Sequence, residues 1–231
     1  MKKSSKTRIN FFGLIKEIQS QFLNWDFLHK NLMLDGYIKK IKNTIFLRRW
    51  IKSGKPLPGP HFYKRKVVKY YARKFSLEIF IETGTYQGAM IHAVKKNFKQ
   101  IYSIELKEAF YRKAKKRFEK NNHISIICGD STIQLKKILQ KINKPCLFWL
   151  DAHYSGVGTA RGDLETPIIE EMNLILKHSN LNHIILIDDA RCFIGEKDYP
   201  SIEKVKNLVY NYHKDWMFIV EDDIIRIHSK F

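Results

Sequence analysis

The sequence predicts an α/β protein built on a mostly parallel sheet with helices on both faces. Two observations carry the prediction. From Leu77 onward, short runs that are apolar at nearly every position alternate with stretches of helical length. Strands without an apolar/polar alternation are buried on both faces, as parallel strands between helices are. In addition, successive runs close on polar or small residues: Glu82-Thr83-Gly84, Glu105, Gly129-Asp130-Ser131, Asp151 and Asp188-Asp189. In open parallel sheets a ligand sits beyond the carboxyl ends of the strands, at the switch in strand order.

Taken in order, residues 9–52 carry apolar positions at helical spacing: first Phe11, Phe12, Leu14, Ile15, Ile18, Phe22 and Leu23, then Leu34, Ile38, Ile41, Ile45 and Phe46. The segment SGKPLPGP at 53–60 breaks this pattern and marks a boundary between a basic helical extension, 1–60, and a domain, 61–231. HFYKRKVVKYYARKF at 61–75 reads as a short basic helix. LEIFIETG is the first strand and GAMIHAVKKNF its helix. QIYSIEL and KEAFYRKAKKRFEKNN form the next pair, and ISIIC leads into a helix reaching about Ile142. CLFWLD is the fourth strand. A polar loop then runs to a helix expected from Pro167, with Thr166 as its cap. HIILIDD is the fifth strand, YPSIEKVKNLVYNYH the last helix, and WMFIVEDDIIRIHS two closing strands in a hairpin, which makes seven in all.

The chain has 231 residues, 44% of them apolar, which suits one α/β domain plus an appendage. Cys128, Cys146 and Cys192 form no CxxC pair, as expected of reduced thiols in a cytoplasmic protein. No apolar run is long enough to span a bilayer. Lys16 and Glu17 interrupt the apolar patch that would imitate a signal peptide. Charge is unevenly placed: residues 1–74 hold 19 Lys and Arg against 3 Asp and Glu, so most of the formal +19 lies in the first third. That asymmetry points either to an anionic partner or to a solvated basic face.

ETGTYQG at 82–88 places an acid and two glycines between strand and helix. Gly84 allows a sharp turn and close backbone approach, and Gly88 allows tight helix packing. The glycine spacing differs from a GxGxxG dinucleotide fingerprint, since Tyr86 and Gln87 intervene. Glu105, about twenty residues on, is placed to accept both hydroxyls of a ribose. Asp130 and Ser131 are placed to meet an adenine edge. Glu105 and Asp130 are equally suited to capping the helices that follow them.

At these residues the chain resembles class I S-adenosylmethionine-dependent methyltransferases over roughly Leu77 to His228. E-x-G-x-Y-x-G, then I-E-L, then GDS are most similar to the catechol O-methyltransferase branch. The resemblance implies a Rossmann-like fold with S-adenosylmethionine as cofactor, held by Glu82, Thr83, Gly84, Tyr86, Gly88, Glu105, Asp130, Ser131 and Asp151. Glu82, Thr83 and Gly84 would border its methionine part.

FWLDAHYS ends the fourth strand with Asp151, and the fifth ends with Asp188-Asp189. Strands four and five are neighbours in the expected order, so three like charges converge, and something must offset them. A divalent cation such as Mg²⁺ takes oxygen ligands. The resemblance to metal-dependent O-methyltransferases implies Asp151, Asp188 and Asp189 as its ligands. The alternative is that Asp189 pairs with a neighbour such as Arg191. A metal-bound hydroxyl deprotonates readily, which would prepare it to attack the sulfonium methyl.

The catechol enzymes' lysine, three residues past the strand-four Asp, is replaced here by Tyr154. His153 is the better base on pKa grounds, as in similar macrolide-sugar enzymes, with Asp151 beside it. In the loop SGVGTARGDLET, Arg161, Asp163 and Glu165 are candidates for an oxygen-rich substrate, Arg161 and Glu165 foremost. WLDAHYSG, TARGDLETPI and HIILIDDAR resemble a bacterial methyltransferase group that accompanies surface-polysaccharide genes. That implies a hydroxyl of a sugar, glycan or other polyhydroxylated small molecule as acceptor.

Three other readings compete. A nucleic-acid methyltransferase suits the charge, but an amino-methylating enzyme would carry N/D-P-P-Y/F after strand four, where this chain has LDAH. A non-catalytic membrane- or partner-binding protein on the same fold would need none of these acids. A different metal-dependent reaction is open because fold does not dictate chemistry. For residues 1–60 the expectation is either peripheral contact with anionic lipid at the inner face of the membrane, or packing on the domain or on a second copy.

Overall fold

The computed structural model describes residues 32–152, 166–178, 181–196 and 198–230. Residues 1–31 of the helical extension and the loop candidates His153, Tyr154, Arg161, Asp163 and Glu165 lie outside the described residues. The chain divides into two compact units, Met1–Gly54 and Lys55–Phe231. In the first unit the described part is helix α1 (Leu32–Lys52). Among the described residues no helix is long and apolar enough to cross a membrane.

The second unit opens with α2 (His61–Lys74), whose first residue follows Pro60 at the N-cap. Proline fixes an extended approach to the helix and offers no side-chain cap. Alternation then follows as the sequence predicts: β1 (Ile79–Thr83), α3 (Ala89–Val94), β2 (Gln100–Glu105), α4 (Glu108–Phe118), β3 (Ile124–Cys128), α5 (Ser131–Leu139), β4 (Cys146–Leu150), α6 (Ile168–Lys177), β5 (Ile184–Ile187), a 3₁₀ turn (Ala190–Cys192), α7 (Ile202–Tyr212), β6 (Met217–Glu221) and β7 (Ile224–His228). Thr166 is not the cap of α6. Pro167 takes that position without a side-chain hydrogen bond.

The sheet order is β3-β2-β1-β4-β5-β7-β6, with β7 antiparallel to both neighbours and the remaining pairings parallel. Order reverses between β1 and β4, so the crevice above that pair is the expected ligand site.

Strand periodicity divides the core into two layers. Ile81, Phe148, Leu150, Ile185 and Ile187 face α5, α6 and α7, against Leu135, Met172 and Val205. Phe80, Leu147, Trp149, Ile184 and Leu186 face the other way, against Val67, Val68 and Tyr71 of α2, Ile91 of α3 and Phe118 of α4. This parity decides what happens at the rim. Glu82, Asp151 and Asp188 continue the layer under α2, whereas Thr83 continues the layer under α6.

Candidate active site at the carboxyl rim of the sheet

The parallel ladder extends one step past the strands: Asp151 N–H donates to the Thr83 carbonyl and Asp188 N–H to the Leu150 carbonyl, each at 3.0 Å. Gly84 makes the turn out of β1 with φ +87°, and a Cβ there would lie 2.4 Å from the Asp151 carbonyl oxygen. Only glycine lets the ends of β1 and β4 meet this closely. Gly88, also at positive φ, is backed by the Phe118 ring, 2.6 Å from where its Cβ would stand. Between the two glycines Tyr86 packs edge-on against Phe110 with ring centroids 4.8 Å apart.

Glu105 closes β2. One carboxylate oxygen accepts from Tyr86 N–H at 2.7 Å and the other from Lys107 N–H at 2.8 Å. The carboxylate therefore ties the turn after β1 to the start of α4 and keeps a second lone pair on each oxygen. Asp130 is the N-cap of α5, its Oδ1 accepting from Thr132 and Ile133 N–H at 2.9 and 3.1 Å. The capping alternative thus holds for Asp130.

Below the crevice, Glu82 is buried and pairs across strands with Ser103, whose hydroxyl lies 2.6 Å from it and 2.6 Å from the Thr85 hydroxyl. Burial pushes the Glu82 carboxyl well above its ordinary range, and the nearby Asp151 and Glu105 charges add to the rise. On the opposite face the Thr83 hydroxyl donates to Glu171 Oε2 at 3.3 Å. Glu171 is fully buried on α6 and its Oε1 has no partner among the described residues.

The two adjacent acids after β5 are offset by a side chain. Lys64 of α2 is 3% exposed, and its Nζ lies 2.5 Å from Asp188 Oδ1 and 2.8 Å from Asp189 Oδ1. Asp189 sits in the left-handed region at φ 55°, which an aspartate tolerates better than most residues, and its N–H donates to Asp188 Oδ1 at 2.8 Å. The bend turns both carboxylates to one ammonium. Burial alone would lower the Lys64 pKa, but the two carboxylates outweigh it and raise the net value. For Asp188, burial and then the Asp151 and Asp189 charges push the carboxyl up.

Arg191 adds a second cation, as the pairing alternative expects. Its Nη1 lies 2.8 Å from Asp189 Oδ1 and also pairs with Asp223. Asp223 reaches this point because β7 runs antiparallel to β5, so the β6–β7 turn folds over the end of β5. The same turn places Asp222 against Lys55, 2.9 Å away, and against the Tyr63 hydroxyl.

These contacts bear on the expected magnesium site. Among the described residues no three His, Cys, Asp or Glu side chains are grouped to hold a metal ion. The Oδ1 atoms of Asp188 and Asp189 both face Lys64 Nζ. Mg²⁺ bound to those oxygens at about 2.0–2.1 Å would occupy the place of the ammonium. The donor set does not fit the ion while Lys64 is in place. Sequence reading missed Lys64, Ser103, Thr85 and Glu171.

No protein-family model matches the chain, and no curated protein matches it. Solved structures do. The O-methyltransferase TomG of Streptomyces achromogenes, involved in tomaymycin synthesis and bound to S-adenosylmethionine, is 15% identical, covers 78% of this chain and 85% of its own, and superposes with a TM-score of 0.51. The Bacillus cereus O-methyltransferase in complex with SAH is 12% identical over 94% of this chain and 97% of its own, with a TM-score of 0.55. SAH-bound PaMTH1 of Podospora anserina is 14% identical over 99% and 100%, with a TM-score of 0.50. The fold is that of class I methyltransferases. Gly84 and Asp151 meet at the reversal between β1 and β4, with Glu105 at the end of the adjacent β2.

Proposed function

We propose that this protein is an S-adenosylmethionine-dependent O-methyltransferase whose acceptor is a hydroxyl of a sugar, glycan or other polyhydroxylated small molecule. The carrying observation is the placement of Gly84, Glu105 and Asp151 on three strand ends at the reversal of strand order. The residues fit the cofactor. Gly84 lets the turn after β1 close against β4 at the floor of the crevice, and Glu105 keeps lone pairs for ribose hydroxyls. Asp130 keeps Oδ2 unpaired among the described residues, beside Ser131. Glu82 acts beneath the pocket, through its bond to Ser103.

Bound S-adenosylmethionine would supply a methyl group made electrophilic by its sulfonium. The acceptor oxygen bonds to that carbon, the carbon–sulfur electron pair stays on sulfur, and the hydroxyl proton passes to a base. The protein's part is to align the oxygen and remove the proton. We assign the base to His153, next but one to Asp151, with Tyr154 as the alternative, and substrate contacts to Arg161 and Glu165. No step is assigned to magnesium, because two of the three acids implied as its ligands, Asp188 and Asp189, hold Lys64.

The test is transfer of a tritiated methyl from S-adenosylmethionine to a panel of sugars, nucleotide-linked sugars, catechols and oligonucleotides. Label on a sugar hydroxyl, with His153→Ala lowering turnover by roughly 10²–10⁴ while SAH binding persists, is the expected result. Label entering only the oligonucleotides would replace this reading with the nucleic-acid one.

A further inference from the structure

We propose that Lys64 is a built-in substitute for a divalent cation, so that the acidic rim of this protein is closed to metal ions unless Lys64 is removed. The inference goes beyond the methyl-transfer reading and is tested without turnover.

Three observations on the chain support it. First, the same oxygen of each adjacent acid, Asp188 Oδ1 and Asp189 Oδ1, contacts one ammonium, which bridges them as a small cation would. Second, Lys64 is not a surface lysine that bends in. It is the first member of the buried stripe Lys64, Val67, Val68, Tyr71 and Ala72, and the helix carrying it is anchored by the apolar layer under β4 and β5. Its side chain is buried at the end of that stripe, and its ammonium is enclosed with the two carboxylates. Third, strand parity directs Asp188 toward α2, and the left-handed turn at Asp189 brings the second carboxylate to the same point. The two carboxylates and the ammonium are thus placed by independent parts of the fold.

The chemical consequence is a site with fixed charge. A monovalent, non-exchangeable cation steadies Asp188 and Asp189 without offering open coordination positions to two acceptor hydroxyls. The carboxylates then serve to hold the rim in shape and to bind acceptor hydroxyls as hydrogen-bond acceptors, and a chelating diol gains no special advantage.

The experiment is a Mn²⁺ titration of the full chain followed by electron paramagnetic resonance, on wild type, Asp188→Asn, Lys64→Met and the double variant, with Mg²⁺ as competitor. Wild type and Asp188→Asn are expected to leave the free Mn²⁺ signal unchanged. Lys64→Met is expected to take up about one ion per chain, with an affinity gain of roughly tenfold or more, and its melting temperature should climb as Mn²⁺ is added. The double variant should lose both effects. Asp188-dependent Mn²⁺ binding by wild type would overturn the proposal, and so would a folded Lys64→Met chain indifferent to the ion. If Lys64→Met fails to fold, wild type and Asp188→Asn decide alone by the same criterion. SAH titration of the same samples reports separately on the methyl-transfer reading.

Discussion

Glu171 shows how one buried group makes the stability of this fold depend on pH. Its Oε2 is held by the Thr83 hydroxyl, while Oε1 has no partner among the described residues. Burial pushes its carboxyl up to about 7, although hydrogen bonds from Ser131 and Thr83 pull it down. The folded value therefore lies above the unfolded one. Stability from the neutral acid is fully present below the unfolded pKa, near 4.5, and is lost as pH rises through about 7. The difference amounts to about 3 kcal/mol for the pair of states. Glutamine mimics the protonated acid. Urea unfolding at pH 4 and pH 8 should show Glu171→Gln close to wild type at the lower pH and exceeding it by up to about 3 kcal/mol at the higher. Parallel pH curves for the two proteins would remove Glu171 from the account. The comparison isolates this residue, because Glu82 and Asp188, also pushed upward by burial, are common to both proteins.

At the scale of elements, the rim is decided by how closely two strand ends approach. Gly84→Ala places a methyl 2.4 Å from the Asp151 carbonyl oxygen at a backbone φ of +87°. The contact is with backbone, so neither side can rotate away. The expected cost is about 2–4 kcal/mol by chemical unfolding, with loss of SAH binding as β1 and β4 part. A variant that binds SAH normally would show that the turn does not shape the crevice. The elements themselves were legible in the sequence, because apolar runs of strand length alternate with helical periods and the turns carry glycine and acid. Lys64 and Glu171 were legible in principle by the same arithmetic. The apolar positions of α2 and α6, stepped back by three or four residues, land on Lys64 and on Glu171. Reading 61–75 only as a short basic helix hid this, since Lys64 stands among Arg65, Lys66 and Lys69, and only the stripe distinguishes it. The ammonium–carboxylate contact itself joins residues more than a hundred positions apart, and no local pattern announces which cation will offset Asp188 and Asp189.

At the scale of the whole molecule, the sheet order converts scattered acids into one edge. Glu105, Asp151 and Asp188 are far apart in the chain, yet parallel pairing sets β2, β1, β4 and β5 side by side with their carboxyl ends aligned. On the proposed readings, the same order separates two roles along that edge. Glu105 stands on the β2 side of the reversal, where nucleoside recognition is assigned, and the Lys64 cluster stands on the β5 side. A ligand that binds only the folded chain raises its melting temperature by mass action, worth about 2.7 kcal/mol at a hundred times Kd. SAH should therefore stabilise wild type in a concentration-dependent way. Glu105→Ala removes a carboxylate that also anchors Tyr86 and Lys107 N–H, so the variant should melt lower and lose most of the SAH-induced shift. Asp188→Asn also disturbs the rim, but on the far side of the reversal, and should keep the shift while lowering the starting temperature. Equal loss of the shift in both variants would mean that the cofactor lies across β5 rather than over β1 and β2, and the division of the edge would be wrong.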